Sequence, residues 1–237
     1  MSKSIYLSPS TQEKNRGVGI YGTEESRMNN IADVTERVLK QNGIVVYRNK
    51  PEMTLSQVVS DSNSKKPDIH LAIHSNACDG KARGCEVCCH QYGGEGEKLA
   101  KVVYSEIAPL TPSADKGIKE GCNHFGEGKP LYETAKTNAP AALIEIAFHD
   151  NIEDADWIVC NMEEIGIALA KGVLKYFGIP YVSETDELGL AVYVLKEKGI
   201  ISDSDYWLKN STNGKTIRGE YASILIKKAA AALKNMQ

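Results

Sequence analysis

Apolar positions along this chain follow two periods, and the switching between them predicts its architecture. Residues 4–8 and 44–48 are short runs of branched and aromatic side chains, as strands require. Between them Thr23 can cap a helix that starts near residue 24. Ile31, Val34 and Val38 repeat there at helical spacing until Asn42-Gly43 ends the run. Residues 55–62 read as a second helix leading into a Lys-Lys-Pro break, 68–74 as a strand and 85–91 as another. A helix at 95–107, a strand after Pro140 and a mostly helical stretch at 157–177 complete this part. Strands alternating with helices predict an α/β fold, a mixed and mostly parallel twisted sheet flanked by helices. In such sheets the functional site gathers beyond the carboxyl ends of the strands.

Residues 1–180 form the expected main domain, and 181–187 read as a linker. Residues 188–237 then predict a small helical module, with helices at 188–198 and 217–233 around the segment SDSDYWLKN. About fifty residues is near the lower limit for folding alone. Tyr193, Tyr206, Trp207 and Tyr221 could stack on sugars, but a small apolar core is the commoner use and the favoured one for Trp207.

Two strand-like segments carry the chemistry. DIHLAIHSNA (68–77) delivers His74 into a polar Ser-Asn turn, and AALIEIAFHDN (141–151) sets Glu145 in an apolar run. Burying a carboxylate among Leu143, Ile144, Ile146 and Phe148 is costly unless a cation or hydrogen bonds compensate. Glu145 is therefore a candidate general base or metal neighbour. Each residue alone has a plainer reading. Glu25 in a first helical turn complements the helix dipole, His74 suits a hydrogen-bonded strand end, and 149–151 suit a helix cap before Glu153.

Net charge is −3 and the isoelectric point about 6.0, which gives no argument for nucleic-acid binding. No apolar run approaches the ~20 residues that span a bilayer, so no integral membrane segment is expected. The start, MSKSIYLSPST, lacks a signal peptide's apolar core, so synthesis in the cytoplasm is expected. The six cysteines include Cys85, Cys88 and Cys89 beside His90. On a strand, adjacent side chains point to opposite faces, which spoils a metal cage, and no second Cys-x-x-Cys exists. Reduced thiols are expected.

IHSNA (73–77) and LIEIAF (143–148) resemble two hallmarks of the zinc-dependent N-acetylmuramoyl-L-alanine amidases of bacterial autolysins and phage endolysins. The resemblance extends over residues 4–178. IYLSPS (5–10) resembles the family's first strand, Glu25 with Asn29 its Glu-x-x-x-Asn, GCEVCCH (84–90) its Gly-x-Glu strand and KGIKEG (116–121) its Arg-Gly-x-Lys segment. It implies Zn2+, bacterial peptidoglycan as substrate, Glu25 and His74 as metal ligands, and Glu145 as base. One departure stands out. Where the family's first strand ends in Gly-His-Gly, whose histidine is the first zinc ligand, this chain reads Ser8-Pro9-Ser10-Thr11-Gln12, with no histidine.

A catalytic zinc usually takes three protein ligands plus water. His149, just past the strand of Glu145, is the candidate third ligand, with Gln12 the weaker alternative. His70 lies roughly 13 Å along the strand from His74, too far to share one ion. Asn76 and Asn151 would orient ligands or substrate. Without a signal peptide, such an enzyme would reach the wall after lysis or through a membrane pore. The tail resembles the helical C-terminal modules of some clostridial lysins, implying wall targeting or dimerisation. The rivals are a non-catalytic wall-binding protein on a degenerate amidase fold and a zinc peptidase, although His-Glu-x-x-His is absent.

Overall fold

Six strands hydrogen-bond into one sheet, and their order explains how distant segments meet. The computed structural model describes residues 2–113, 116–183, 187–211 and 214–234. The chain divides into two compact units, Met1–Tyr181 and Val182–Gln237. The first contains β1 (Ser4–Pro9), α1 (Glu24–Gln41), β2 (Val45–Arg48), α2 (Leu55–Lys65), β3 (Ile69–Asn76), β4 (Glu86–Cys89) and α3 (Glu95–Ile107). A 3-10 turn at Ala108–Leu110, β5 (Gly117–Glu120), α4 (Tyr132–Lys136), β6 (Ala141–Phe148), α5 (Ile152–Cys160) and α6 (Met162–Phe177) follow.

The sheet order is β2-β1-β3-β6-β4-β5. Every pairing is parallel except β4 with β6. This is the mixed, mostly parallel sheet that the alternating periods predict. The central strands are buried on both faces, which is why they read as nearly continuous apolar runs.

The two faces are not equivalent. Ile5, Leu7, Leu71, Ile73 and Ile144 join α1, α3 and α6 in the main core. Their alternates are Tyr6, Ser8, His70, His74 and Glu145, so the opposite face carries the polar side chains. A smaller apolar cluster of Ala72, Cys88, Leu131 and Leu143 lies on that same face. Close packing on the core side depends on small residues in α6. A Cβ at Gly166 would come within 2.5 Å of the Val34 Cβ, and one at Gly172 within 2.7 Å of the Val103 backbone.

Helix ends follow local chemistry. Thr23 caps α1 by accepting from the Ser26 N–H, and Thr54 with Gln57 forms a reciprocal capping box on α2. The stretch 157–177 proves to belong to two helices. Asn161 divides them, its side chain donating at 2.7 Å to the Trp157 carbonyl at the open end of α5. The strand expected at 85–91 shortens to Glu86–Cys89, and β5 and α4 appear where no element was expected. Both are too short for a periodic signal.

In the second unit α7 (Glu187–Glu197), α8 (Ser204–Asn210) and α9 (Gly219–Lys234) surround Val192, Ile200, Ile201 and Trp207. The segment SDSDYWLKN supplies α8, capped by Asp203 through the Tyr206 N–H at 3.0 Å. Trp207 is buried in this small core, and Tyr206 packs between its ring and that of Tyr221. Residues 184–186 of the expected linker lie outside the described part.

Candidate metal centre

The parallel pairing of β3 with β6 sets His74 directly beside Glu145. Both project from the polar face of the sheet, near the carboxyl ends of their strands. From the first turn of α1, Glu24 reaches over β3, and its Oε1 lies 2.8 Å from His74 Nδ1. Helical phase selects Glu24 for this. It shares a stripe with Met28, Ile31 and Thr35, all buried toward the sheet. On the other side of the imidazole, Glu133 Oε1 lies 3.6 Å from Nε2.

These groups line an open cavity of about 380 Å³, together with Gln12, Asn76 and Phe125. Its electrostatics are dominated by buried carboxylates. Glu145 Oε2 is buried without a hydrogen-bond partner. Burial pushes the Glu145 carboxyl up to about 8, a rise opposed by His74 and reinforced by Glu24 and Glu86. Glu86 sits across the antiparallel junction from Glu145 and pairs with Lys119.

Burial disfavours charge on His74 and Glu133 as well, but contacts outweigh it there. Contacts with Glu133 and Glu24, together with the charges of Glu145 and Glu24, hold the His74 pKa well above its ordinary range. Glu133 is held below the carboxylate range by His70 and His74, and Glu24 by His74 and Asn15. The site thus concentrates negative charge around one imidazole.

The residue content fits a divalent cation. His74 Nδ1 and Glu24 Oε1 converge, the orphaned Glu145 oxygen belongs to the same cavity, and an amide, Gln12, stands at its wall. Among the described residues no set of three or more His, Cys, Asp or Glu side chains is arranged as a metal site.

The sequence profile of the N-acetylmuramoyl-L-alanine amidases matches residues 5–175. The chain belongs to that family. An uncharacterized 38.4 kDa protein of Clostridium perfringens is 27% identical over 138 residues, covering 56% of this chain and 38% of that protein. The N-acetylmuramoyl-L-alanine amidase LytC of Bacillus subtilis is 22% identical over 188 residues, covering 75% of this chain and 36% of LytC. The chain therefore spans little more than a third of the length of these two relatives.

Among solved structures, the catalytic domain of CwlV from Bacillus (Paenibacillus) polymyxa superposes with a TM-score of 0.67 at 20% identity. That match covers 75% of this chain and 99% of CwlV's. The catalytic domain of the CD27L endolysin, which targets Clostridia Difficile, gives 0.60 at 21% identity, with 74% and 98% covered. These likenesses establish the amidase α/β fold.

Within this amidase fold the expected site residues separate into two groups. His74, Glu145, Gln12 and Asn76 line the cavity. Asn76 reaches Glu86 at 3.5 Å through its amide and accepts from the Ala77 N–H. Glu25 does not join them. One residue further round α1 than Glu24, it is half-exposed and absent from the cavity wall.

His149 is also elsewhere, because β6 carries a bulge. Between His74 and Asn76 on β3 there are two steps, but between their partners Glu145 and Phe148 there are three. Consecutive Ile146 and Ala147 consequently both enter the main core. The alternation shifts, and His149 is buried under β3, with Nδ1 2.8 Å from Ser75 Oγ and its ring stacked on Tyr21. Asn151 caps α5, accepting from the N–H groups of Glu153 and Asp154. His124 lines the cavity beside Phe125. Glu133 and Glu24 are the residues the sequence reading missed.

Proposed function

We propose that this chain hydrolyses the amide bond between N-acetylmuramic acid and L-alanine in bacterial peptidoglycan, with zinc as its cofactor. The observation that carries the reading is the convergence of Glu24 and His74 beside Glu145, whose Oε2 has no protein partner. Glu24 and His74 Nδ1 would hold the ion, and Gln12 would be the third protein donor in place of the expected His149. Bound zinc supplies a Lewis acid that polarises a carbonyl and brings the pKa of water near 7.

The chain's own residues provide the proton handling. Glu145 takes a proton from the attacking water at Oε2 and returns it to the departing alanine amine. Its apolar surroundings and its neighbours Glu24 and Glu86 suit it to hold that proton near neutral pH. Leu143 and Leu131 form the dry wall beside it, and His124 and Phe125 border the mouth where substrate enters. Asn76 steadies Glu86 next to the base.

Action on the wall would follow lysis or release through a pore. Among the described residues no helix is long and apolar enough to cross a membrane. The second unit would serve wall targeting or dimerisation.

A second reading, a non-catalytic wall-binding protein, draws support from the histidine-free Ser8-Pro9-Ser10-Thr11-Gln12 segment at the end of the first strand. One digest separates the two. Purified peptidoglycan is incubated with the protein, and new alanine amino termini and new reducing ends are measured with and without chelator. Chelator-sensitive alanine termini without reducing ends support the amidase. No cleavage by folded, zinc-supplemented protein that still sediments with the wall supports the binding protein.

A further inference from the structure

The polar face of the sheet holds one carboxylate that the proposed chemistry does not use. Glu133 comes from the five-residue helix α4 and is 4% exposed. Its Oε2 accepts from Ser8 Oγ at 2.6 Å and faces His70 Nε2 at 2.8 Å. His70 is itself fixed, with Nδ1 3.0 Å from Ser62 Oγ and its ring stacked on Tyr6 at 5.4 Å. Side chains from β1, β3 and α2 thus immobilise one oxygen of Glu133. The other oxygen is left 3.6 Å from His74 Nε2.

We infer that Glu133 is a positioning residue for His74, fixing the imidazole with its proton on Nε2 and its free lone pair on Nδ1, toward Glu24. The inference rests on the zinc reading above. A histidine that gives one nitrogen to a cation carries its proton on the other, and a carboxylate beside that proton sets tautomer and ring orientation. At 3.6 Å the contact is an ion pair rather than a formed hydrogen bond. It nevertheless lies on the Nε2 side, opposite Glu24. Anchoring α4 alone would not require it. Apolar residues of similar shape hold elements together as well as a buried His–Glu pair does, but they could not orient His74.

The test measures the zinc dissociation constant of the full chain by competition with a chromophoric chelator at neutral pH. Glu133→Gln keeps the shape and removes the charge. It is expected to weaken zinc binding about 10–100-fold, and at saturating zinc to lower kcat with KM unchanged. Glu133→Asp should recover part of the loss. A Glu133→Gln protein with a lower Tm but the wild-type zinc constant overturns the inference, because a purely structural role predicts that result. If Glu133→Gln fails to fold, Ser8→Ala replaces it by removing one anchor of the carboxylate. Weaker zinc binding in that variant supports the inference, and an unchanged constant overturns it. A wild-type chain that binds no zinc in the same titration overturns the zinc reading together with this one. Tight wild-type binding matched by the variants overturns this one alone.

Discussion

Glu24 and His74 meet at 2.8 Å although they stand fifty positions apart, one at a helix start and the other at a strand end. Their contact separates Glu24 from Glu25, two adjacent residues of the same type. Glu24→Gln should weaken zinc binding by at least about 100-fold, more than loss of an outer-shell partner costs. Glu25→Gln should change it by less than about twofold and leave stability within about 0.5 kcal/mol, as at an ordinary surface site. Metal analysis of the dialysed variants, with thermal melts, decides. Equal losses in both variants would refute the assignment.

Glu145→Gln should lower kcat by about 10²–10⁴-fold, the usual contribution of a general base. The same variant carries a pH signature. The folded-state pKa of Glu145 is raised to about 8 by burial, so the folded protein favours the protonated acid. That stabilisation is fully present below the ordinary carboxylate range and is lost as pH rises toward 8. The rise corresponds to an order of 4–5 kcal/mol. Metal-free wild type should therefore lose stability between about pH 5 and 8, and Glu145→Gln should lose much less. Denaturant melts across that range, with chelator present, give the comparison. Parallel curves would argue against a buried, unpartnered carboxylate.

His149→Ala should behave as a scaffold variant. It removes a buried ring that contacts Ser75 and stacks on Tyr21, at a cost of about 2–4 kcal/mol. Zinc content of the folded fraction should match wild type. A sharp loss of metal at unchanged Tm would return His149 to the ligand set.

Thiol reactivity should follow burial. No disulfide joins the described cysteines, and Cys78 and Cys160 are exposed. Burial, with Glu86 and Glu145 nearby, pushes the Cys88 thiol up to about 12. Brief alkylation of the native protein near neutral pH should mark Cys78 and Cys160 and spare Cys88. Mass spectrometry of the labelled peptides checks this. Rapid native labelling of Cys88 would contradict its placement in the second apolar cluster.

The sheet was legible because β1, β3 and β6 are strongly apolar runs bounded by turn residues, and the periodic stripe of α1 marked its core side. His74 and Glu145 were legible for the same reason. They are polar residues interrupting apolar strands, and strand pairing then placed them together. Glu24 could have been read from the phase it shares with Met28 and Ile31. Glu133 could not. Its helix is a single short turn with no period, and its burial arises only from long-range contacts with Ser8 and His70. His149 was misread because plain alternation puts residues 145 and 149 on one face, and nothing local announces a bulge.

That bulge works as a change of reading frame within one strand. Ahead of it, odd-numbered positions such as 143 and 145 look toward the cavity, whereas Ala147 beyond it looks into the core. A single inserted residue therefore decides which of two side chains four positions apart faces the cavity and which holds the scaffold. A regular strand of the same length would exchange a buried support for a second imidazole at the cavity, so the backbone path of this short stretch matters as much as its side chains.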